Sequence, residues 1–539
     1  MSWRLEVGHA FRGAGSPGAT GLAAHGDRPA LISRSVTVTY AELATRADTI
    51  AGELRRLGAG EGTAVALISS GRAHDEPVGL AGILGGSSVA VPLDATAPPA
   101  RLAGIVQARH CRAIVMDAGA QGTADAMDEL GAGLARVVLD PDGRVVSTSL
   151  AGREPEWVKQ RESAISSGAA GQPGDPGFVS GEALDLDSST ELACILHTSG
   201  STGAPKPVPI TWAGLDAFTG WMIDLVRLSS VDRVLRVAEL IFDLSWFDHL
   251  ATWRAGAALL TMSRRELTVG RAFNEALAAL QPSIIYGVPS LFMKLVAALP
   301  PKGDAAGVPP IAGDPRVVFF AGEVFPPREL ADFAARAPGA ELFNLYGPTE
   351  TNVCTYHRVD RAALDGARET PIGLACPYAS CKLVGEENGA IIDGPGTGEL
   401  VVEGPTTVGG GPYATRDRVE RGEDGLFYFR GRIDRMVKVR GYRVEPGEVE
   451  AALSSHPAVR HAAIVVHEDP RLGKTLRAFV ALRQDPVAGE RDLRMFLAER
   501  LPPYMVPDRV FTLDELPLTP TGKVDYRALA GQSTGKPGA

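Results

Sequence analysis

Short apolar runs alternate with amphipathic stretches through the first three hundred residues. Thr63–Ser69 is apolar throughout its middle, as a strand covered on both faces must be. Tyr40–Leu57 sets Ala, Leu and Ile on one helical face, and Ile83–Val91 leads into a turn at Pro92. This alternation predicts α/β layers on largely parallel sheets. Gly58-Ala-Gly60-Glu-Gly62 is a helix-to-strand turn, because its spacing does not match a dinucleotide-binding fingerprint. From about Ser147 to Ser189 the pattern lapses into Gly, Ser, Pro and acidic residues, which predicts a surface loop with Trp157 as an anchor. The last hundred residues predict a separate unit. Helix Gly447–Ser455 sets Val449 and Leu453 one turn apart, and Ala462–Val466 and Leu476–Leu482 are strands. Helix Asp492–Leu501 carries Leu493, Phe496, Leu497 and Leu501 on one stripe. The expected architecture is α/β: a large N-terminal domain (1–433) of parallel or mixed sheets with helices, and a small, mobile α+β C-terminal domain (434–539).

Composition narrows the function classes. The 539 residues are 45% hydrophobic and 22% charged, with a net charge of −10. Such a chain can bury a large core and is a poor partner for phosphate backbones, so no nucleic-acid partner is expected. The N-terminus lacks an apolar leader and no apolar run is long enough for a bilayer, so the expectation is a cytoplasmic protein without a membrane partner. Cys111, Cys194, Cys354, Cys376 and Cys381 lack metal-site spacing and are expected to be reduced thiols.

The sharpest local chemistry is Thr198-Ser-Gly-Ser-Thr-Gly-Ala-Pro-Lys206, after the strand-like Leu192–Leu196. Gly200 and Gly203 permit close backbone approach, while the hydroxyls and Lys206 offer donors and positive charge to a polyphosphate. Pro207 after Lys206 excludes a Walker A loop. Composition alone leaves an exposed Gly/Ser linker equally open.

Read in order, the motifs resemble the adenylate-forming superfamily, which includes nonribosomal-peptide adenylation domains, acyl- and aryl-CoA synthetases and firefly luciferase. They are Val38-Thr-Tyr-Ala-Glu-Leu43, Gly85–Pro92, the Thr198–Lys206 loop, Asn344-Leu-Tyr-Gly-Pro-Thr-Glu350, Gly398-Glu-Leu400, Gly431-Arg-Ile-Asp434, Lys438-Val-Arg-Gly441, Leu501–Pro507 and Pro517–Lys523. The resemblance implies ATP and Mg²⁺. Thr198, Ser199, Thr202 and Lys206 would contact the β- and γ-phosphates. Gly322, Glu323, Asn344 and Tyr346 would frame adenine, and Asp417 and Arg432 would hold the ribose. Thr349 would touch the α-phosphate, Glu350 would bind Mg²⁺, and Lys523 would bridge the substrate carboxylate and the α-phosphate. Asp434 would be the hinge, with Arg440-Gly-Tyr442 facing the thiol tunnel. The chain departs from the family at Pro207, at His197 where an aromatic is frequent, and at Arg416 where Gly is common.

Phe242-Asp243-Leu-Ser-Trp-Phe-Asp-His249 resembles the amino-acid-activating branch, where the residue matching Asp243 pairs with the α-ammonium. Taken alone, Asp243 could equally cap a helix. The implied pocket is Leu244, Phe247, Tyr286, Phe319, Ala321, Leu345, Val353 and Cys354, mostly apolar and shortened by three aromatics. The expected substrate is a small neutral amino acid, with alanine first and glycine or serine behind. The aminoacyl group would pass to the phosphopantetheine thiol of a separate carrier protein, since no carrier-type serine motif follows Lys523. Alternatives are an acyl- or aryl-CoA ligase, which has no need of Asp243, and a non-catalytic nucleotide-binding partner protein.

Overall fold

A computed structural model describes residues 21–70, 74–150, 192–200, 205–268, 270–300, 310–364, 369–386, 389–469, 473–483, 488–518 and 524–532. The surface loop expected over Ser147–Ser189 lies mostly outside them, although Val145–Ser149 is an edge strand.

Two large sheets face one another across helices. The seven-stranded sheet centres on Ala113–Asp117, Ala64–Ile68 and Val89–Pro92, which run parallel. Ala64–Ile68 (Ala-Val-Ala-Leu-Ile) is buried at every position, which explains its unbroken apolar run. The nine-stranded sheet is parallel from Pro29–Ile32 through Ala258–Leu260, Arg233–Leu235, Ile284–Gly287 and Val317–Ala321 to Glu341–Tyr346. Antiparallel strands extend it at both ends.

Helix Tyr40–Arg56 lies between the sheets. Thr39 caps it, with Glu42 returning the bond, so both early orphan N–H groups are satisfied. Leu43, Ala47, Ile50 and Leu54 bury its inner face, and the Tyr40 hydroxyl donates to the Ala257 carbonyl at 2.6 Å, tying the helix to the second sheet. Gly82 of the neighbouring helix needs its missing side chain, since a Cβ there would meet Ile50 at 2.5 Å.

The chain then builds an antiparallel five-stranded sheet over Ser380–Val384, Ile391–Ile392, Gly396–Glu403, Tyr413–Arg421 and Phe427–Arg432, which the hydrophobic pattern had not signalled. A tight hairpin follows, Val437–Val439 with Tyr442–Val444, turning through Arg440 (φ 52°) and Gly441 (φ 85°), the positive φ pair a two-residue turn requires. The smaller C-terminal portion packs helices Pro446–Ser454 and Glu490–Ala498 with strands Val459–Asp469, Gly473–Leu482 and Arg509–Leu513. Leu493, Leu497 and Leu501 are buried there as their spacing predicts, whereas Phe496 turns aside against His456 and Arg500. No helix among the described residues is long and apolar enough to cross a membrane.

Candidate active site

Ile284–Gly287, Val317–Ala321 and Glu341–Tyr346 pair in parallel and end together at the C-terminal edge of the sheet, where open α/β sheets bind ligands. Phe247, Tyr286 and Phe319 are 1% exposed or less and meet edge-to-face, with centroids 5.5–6.0 Å apart. Ala321, Leu345 and Val353 complete the same apolar cluster, with Leu244 packed against it. Cys354 is the exception. It is fully buried just before strand Thr355–Arg358 and packs with Leu383, Leu400 and Val402 under the antiparallel sheet.

Asp243 sits half-buried, its Oδ1 accepting from the Leu244 N–H at 3.0 Å. Burial pushes its carboxyl up to about 6, with the Lys438 ammonium pulling it back and Glu350 adding repulsion. Lys438, from the tight hairpin, feels Asp417, Asp243 and Glu323 together, yet desolvation dominates and lowers its pKa. Gly322 has φ +88°, and a Cβ there would come within 4.0 Å of Lys438 Nζ.

On the expected adenine side, the Tyr346 hydroxyl donates to Asp417 Oδ2. Arg432 Nη1 donates to Asp417 Oδ1 at 2.7 Å, and its other nitrogens reach Asp434 at 2.5 and 2.8 Å. Asp417 and Arg432 are cross-strand neighbours, so the sheet register itself makes this pair. Arg416 has φ 61°, the left-handed region that favours glycine, the residue the resemblance led us to expect there. Glu323 accepts from the Ser290 N–H at 3.0 Å, and the Asn344 amide is engaged by the Pro371 carbonyl at 2.7 Å.

The phosphate loop joins two antiparallel strands, with Thr198 registered opposite Lys206, which is exposed. Thr202 and Lys523 lie outside the described residues. His197 just before the loop is held neutral: burial, then Arg109 and Arg101, push its pKa down to about 3.

Four residues that sequence reasoning left without a role converge here: Arg443, Glu448, Arg101 and Lys438. Arg443 Nη1 grips both oxygens of Glu350, at 2.8 and 2.7 Å, and Glu350 is only 1% exposed. Glu448 accepts from the Gly200 N–H at 3.2 Å and pairs with Arg101 at 2.6 Å. The Ser199 hydroxyl donates to the Arg443 carbonyl at 3.1 Å. Lys438 is the fourth. For Lys438 and Arg443 the signal was the run of cations from Arg435 to Arg443, on a segment too short to be a solvated helix face; Glu448 and Arg101 carried none. Thr349 lies half-buried in the turn beside Glu350.

Glu350 suits a hard cation, being a buried carboxylate whose charge Arg443 now meets. Among the described residues no group of three or more His, Cys, Asp or Glu gathers into a cage. A metal there would take its other ligands from phosphate oxygens and water, as Mg²⁺ does.

A two-sheet core, a smaller C-terminal portion packed against it, and a carboxylate beside an apolar cluster are the arrangement that the adenylate-forming resemblance implies. Residues 19–410 match the AMP-binding enzyme family, and 448–523 match the AMP-binding enzyme C-terminal domain. The chain is 33% identical to an L-proline–[L-prolyl-carrier protein] ligase of Streptomyces coelicolor over 96% of each protein. It is 38% identical to the enzyme of the same name from Pseudomonas fluorescens, over 64% of this chain and 69% of that one. The fold matches the Vibrio cholerae adenylation domain AlmE, solved with glycyl-adenosine-5'-phosphate, at a TM-score of 0.76 and 21% identity over 98% of both chains. The chain therefore belongs to the AMP-binding enzyme family, and it is an ATP-using amino acid adenylating ligase.

Proposed function

We propose that this chain activates a small neutral amino acid as its aminoacyl-AMP, with L-proline the first candidate, and passes the aminoacyl group to a phosphopantetheine thiol on a carrier protein. The observation that carries this reading is Asp243, a carboxylate beside an apolar aromatic cluster, its pKa raised because burial outweighs the pull of the Lys438 ammonium. A carboxylate in such a setting is costly unless a cation meets it, and an α-ammonium is that cation. The two proline-named relatives move proline ahead of alanine, which the pocket alone had put first. Both fit a pocket whose floor is three aromatics in direct contact.

On this reading the substrate carboxylate attacks the α-phosphorus of ATP, the P–O bond to pyrophosphate breaks, and aminoacyl-AMP remains. Two anions must meet, so the chain's contribution is positioning and charge. Thr198, Ser199, Thr202 and Lys206 receive the β- and γ-phosphates, and Thr349 and Lys523 the α-phosphate. Tyr346, Gly322, Glu323 and Asn344 border the adenine, and Asp417 and Arg432 the ribose. Glu350 would hold Mg²⁺, which would supply positive charge against the phosphates. The Asn344 amide is engaged by Pro371, so its role is to shape the wall.

In the arrangement seen, Glu448 takes the Gly200 N–H and Arg443 takes Glu350. On this reading the polyphosphate and its metal would take those groups, and the pairs seen would form when pyrophosphate is absent. Asp434, paired with Arg432 at the base of the hairpin, is the pivot we assign between domains 1–433 and 434–539.

The test is amino-acid-dependent exchange of labelled pyrophosphate into ATP with L-proline, alanine enantiomers, glycine, serine, β-amino acids, benzoates and fatty acids. Strong exchange with proline or another small amino acid supports the reading. Exchange only with benzoates or fatty acids replaces it with a CoA-ligase reading.

A further inference from the structure

One wall of the apolar cluster beside Asp243 is held by side chains and not by the sheet. Val353 is 4% exposed and packs in that cluster with Phe247, Tyr286 and Phe319. It precedes strand Thr355–Arg358 and so stands outside the ladder that fixes the strand. Both of its main-chain polar groups go to side chains. The N–H donates to Asn352 Oδ1 at 2.6 Å, and the carbonyl accepts from the Tyr378 hydroxyl. Asn352 has φ 52°, the left-handed region, so this short link takes its shape from its contacts and not from regular pairing.

Tyr378 reaches that carbonyl because its own turn is pinned to the same link. Pro377 takes the second position of the turn 376–379, which the Ala379 N–H closes on the Cys376 carbonyl at 2.8 Å. The Cys376 N–H donates to the Cys354 carbonyl at 2.9 Å, and the Cys381 thiol donates to the same oxygen at 3.7 Å. The Tyr378 ring meets Trp221 edge-on with centroids 5.7 Å apart, and Trp221 meets Tyr356 at 5.1 Å. Burial, then the Cys376 thiol, holds the Tyr378 phenol well above its ordinary 10, so it remains a donor at neutral pH.

We propose that Tyr378 is a positioning residue for substrate size: its hydroxyl holds Val353 against the substrate side chain, so that a small amino acid is activated in preference to a larger one. The proposal rests on the amino-acid adenylation reading above, and it adds a residue that the family resemblance did not name. The turn grips the wall at two successive carbonyls, those of Val353 and Cys354. A buried carbonyl that loses its donor is costly, so without the phenol O–H the Val353 link moves outward to find another partner. That movement lengthens the space beside Phe247, Tyr286 and Phe319, and a longer side chain fills it.

The test is Tyr378→Phe in the full chain, which deletes the donor and keeps the ring against Trp221. Tyr356→Phe is the comparison, a hydroxyl deletion in the same aromatic trio. Pyrophosphate exchange is measured with L-proline, L-alanine, L-valine and L-leucine. In Tyr378→Phe the kcat/KM ratio of the best small acid over L-leucine should fall about tenfold, through the KM values of the acids, with the KM for ATP within about twofold. Tyr356→Phe should leave the ratio within about twofold. Amide hydrogen exchange read by mass spectrometry needs no turnover, and it should quicken over residues 346–356 in Tyr378→Phe alone. An unchanged ratio, an equal change in Tyr356→Phe, or unchanged amide exchange overturns the proposal. So does a loss that falls equally on all four acids, which would make Tyr378 a support for the fold and not for selection. Silence of the unaltered chain with every acid defeats the adenylation reading, and with it the role in size selection, whereas amide exchange reports the Tyr378 contact by itself.

Discussion

Replacing Asp243 with Asn should stabilise the protein while disabling it. The folded carboxyl titrates at about 6 against an ordinary 3.8, mainly because burial disfavours its charge. The folded state therefore binds more protons than the unfolded one between those values, and stability falls as pH rises through that window. The cost is complete above about pH 6 and absent below about 3.8. At about 1.4 kcal/mol per pKa unit it comes to about 3 kcal/mol, and solvent reaching the half-buried group reduces this to about 1–2 kcal/mol. Asn keeps the shape and still accepts the Leu244 N–H. Asp243→Asn should thus be more stable by about 1–2 kcal/mol at pH 8, with roughly half that gap at pH 5 and little near pH 4. Urea unfolding at the three pH values measures it. Amino-acid-dependent pyrophosphate exchange should fall at least a hundredfold, since a buried ammonium loses its partner, which costs about 3–5 kcal/mol. A variant no more stable at pH 8, or a gap independent of pH, refutes the electrostatic account. Retained exchange refutes the ammonium assignment.

Three further substitutions separate the parts of the cleft. Arg443→Ala removes the partner of a nearly buried Glu350, and should slow carrier loading about 10–100-fold while pyrophosphate exchange stays within about threefold; single-turnover loading against exchange is the comparison. Tyr346→Phe deletes one donor to Asp417 but leaves Arg432 in place, so the KM for ATP should rise about tenfold or less with the amino-acid KM unchanged, as steady-state kinetics will show. Phe247→Leu thins the aromatic floor at a cost of about 1–2 kcal/mol by thermal unfolding, and should improve the exchange ratio of leucine over proline about tenfold.

The elements most legible in the sequence were those whose side-chain period matches their burial. Tyr40–Leu57 was expected and Tyr40–Arg56 forms; Thr63–Ser69 was expected and Ala64–Ile68 forms. Helices and strands after Gly447 appear close to their expected positions, with the strands longer than the apolar cores that announced them. The sheet over Ser380–Arg432 stayed hidden because one of its faces is solvated and its strands are rich in Arg and Glu, so burial along Tyr413–Arg421 alternates without a run of apolar residues. Arg416, where the family commonly has Gly, takes a left-handed backbone, and its neighbour Asp417 lies in register opposite Arg432.

Charge pairs across long separations were not legible at all. Arg443 and Glu350 are 93 residues apart, and Glu448 and Gly200 are 248 apart. No spacing rule reaches that far, because such a pair exists only once the hairpin has been carried to the cleft by the packing of a separate core. The cation run Arg435–Arg443 nevertheless carried information of another kind. Cations on a tight hairpin are stable when solvated, or when carboxylates receive them. Lys438 is desolvated and Arg443 is largely covered, so carboxylates must lie opposite, and the family motifs had already named Asp243, Glu350 and Asp417. On the proposed reading the same carboxylates serve both steps. Substrate ammonium and metal neutralise them during adenylation, and the hairpin's own cations do so afterwards. In the arrangement described, Arg443 meets Glu350 and Arg432 meets Asp417, while Asp243 is the carboxylate whose charge is least compensated and which, on the proposed reading, the substrate ammonium completes.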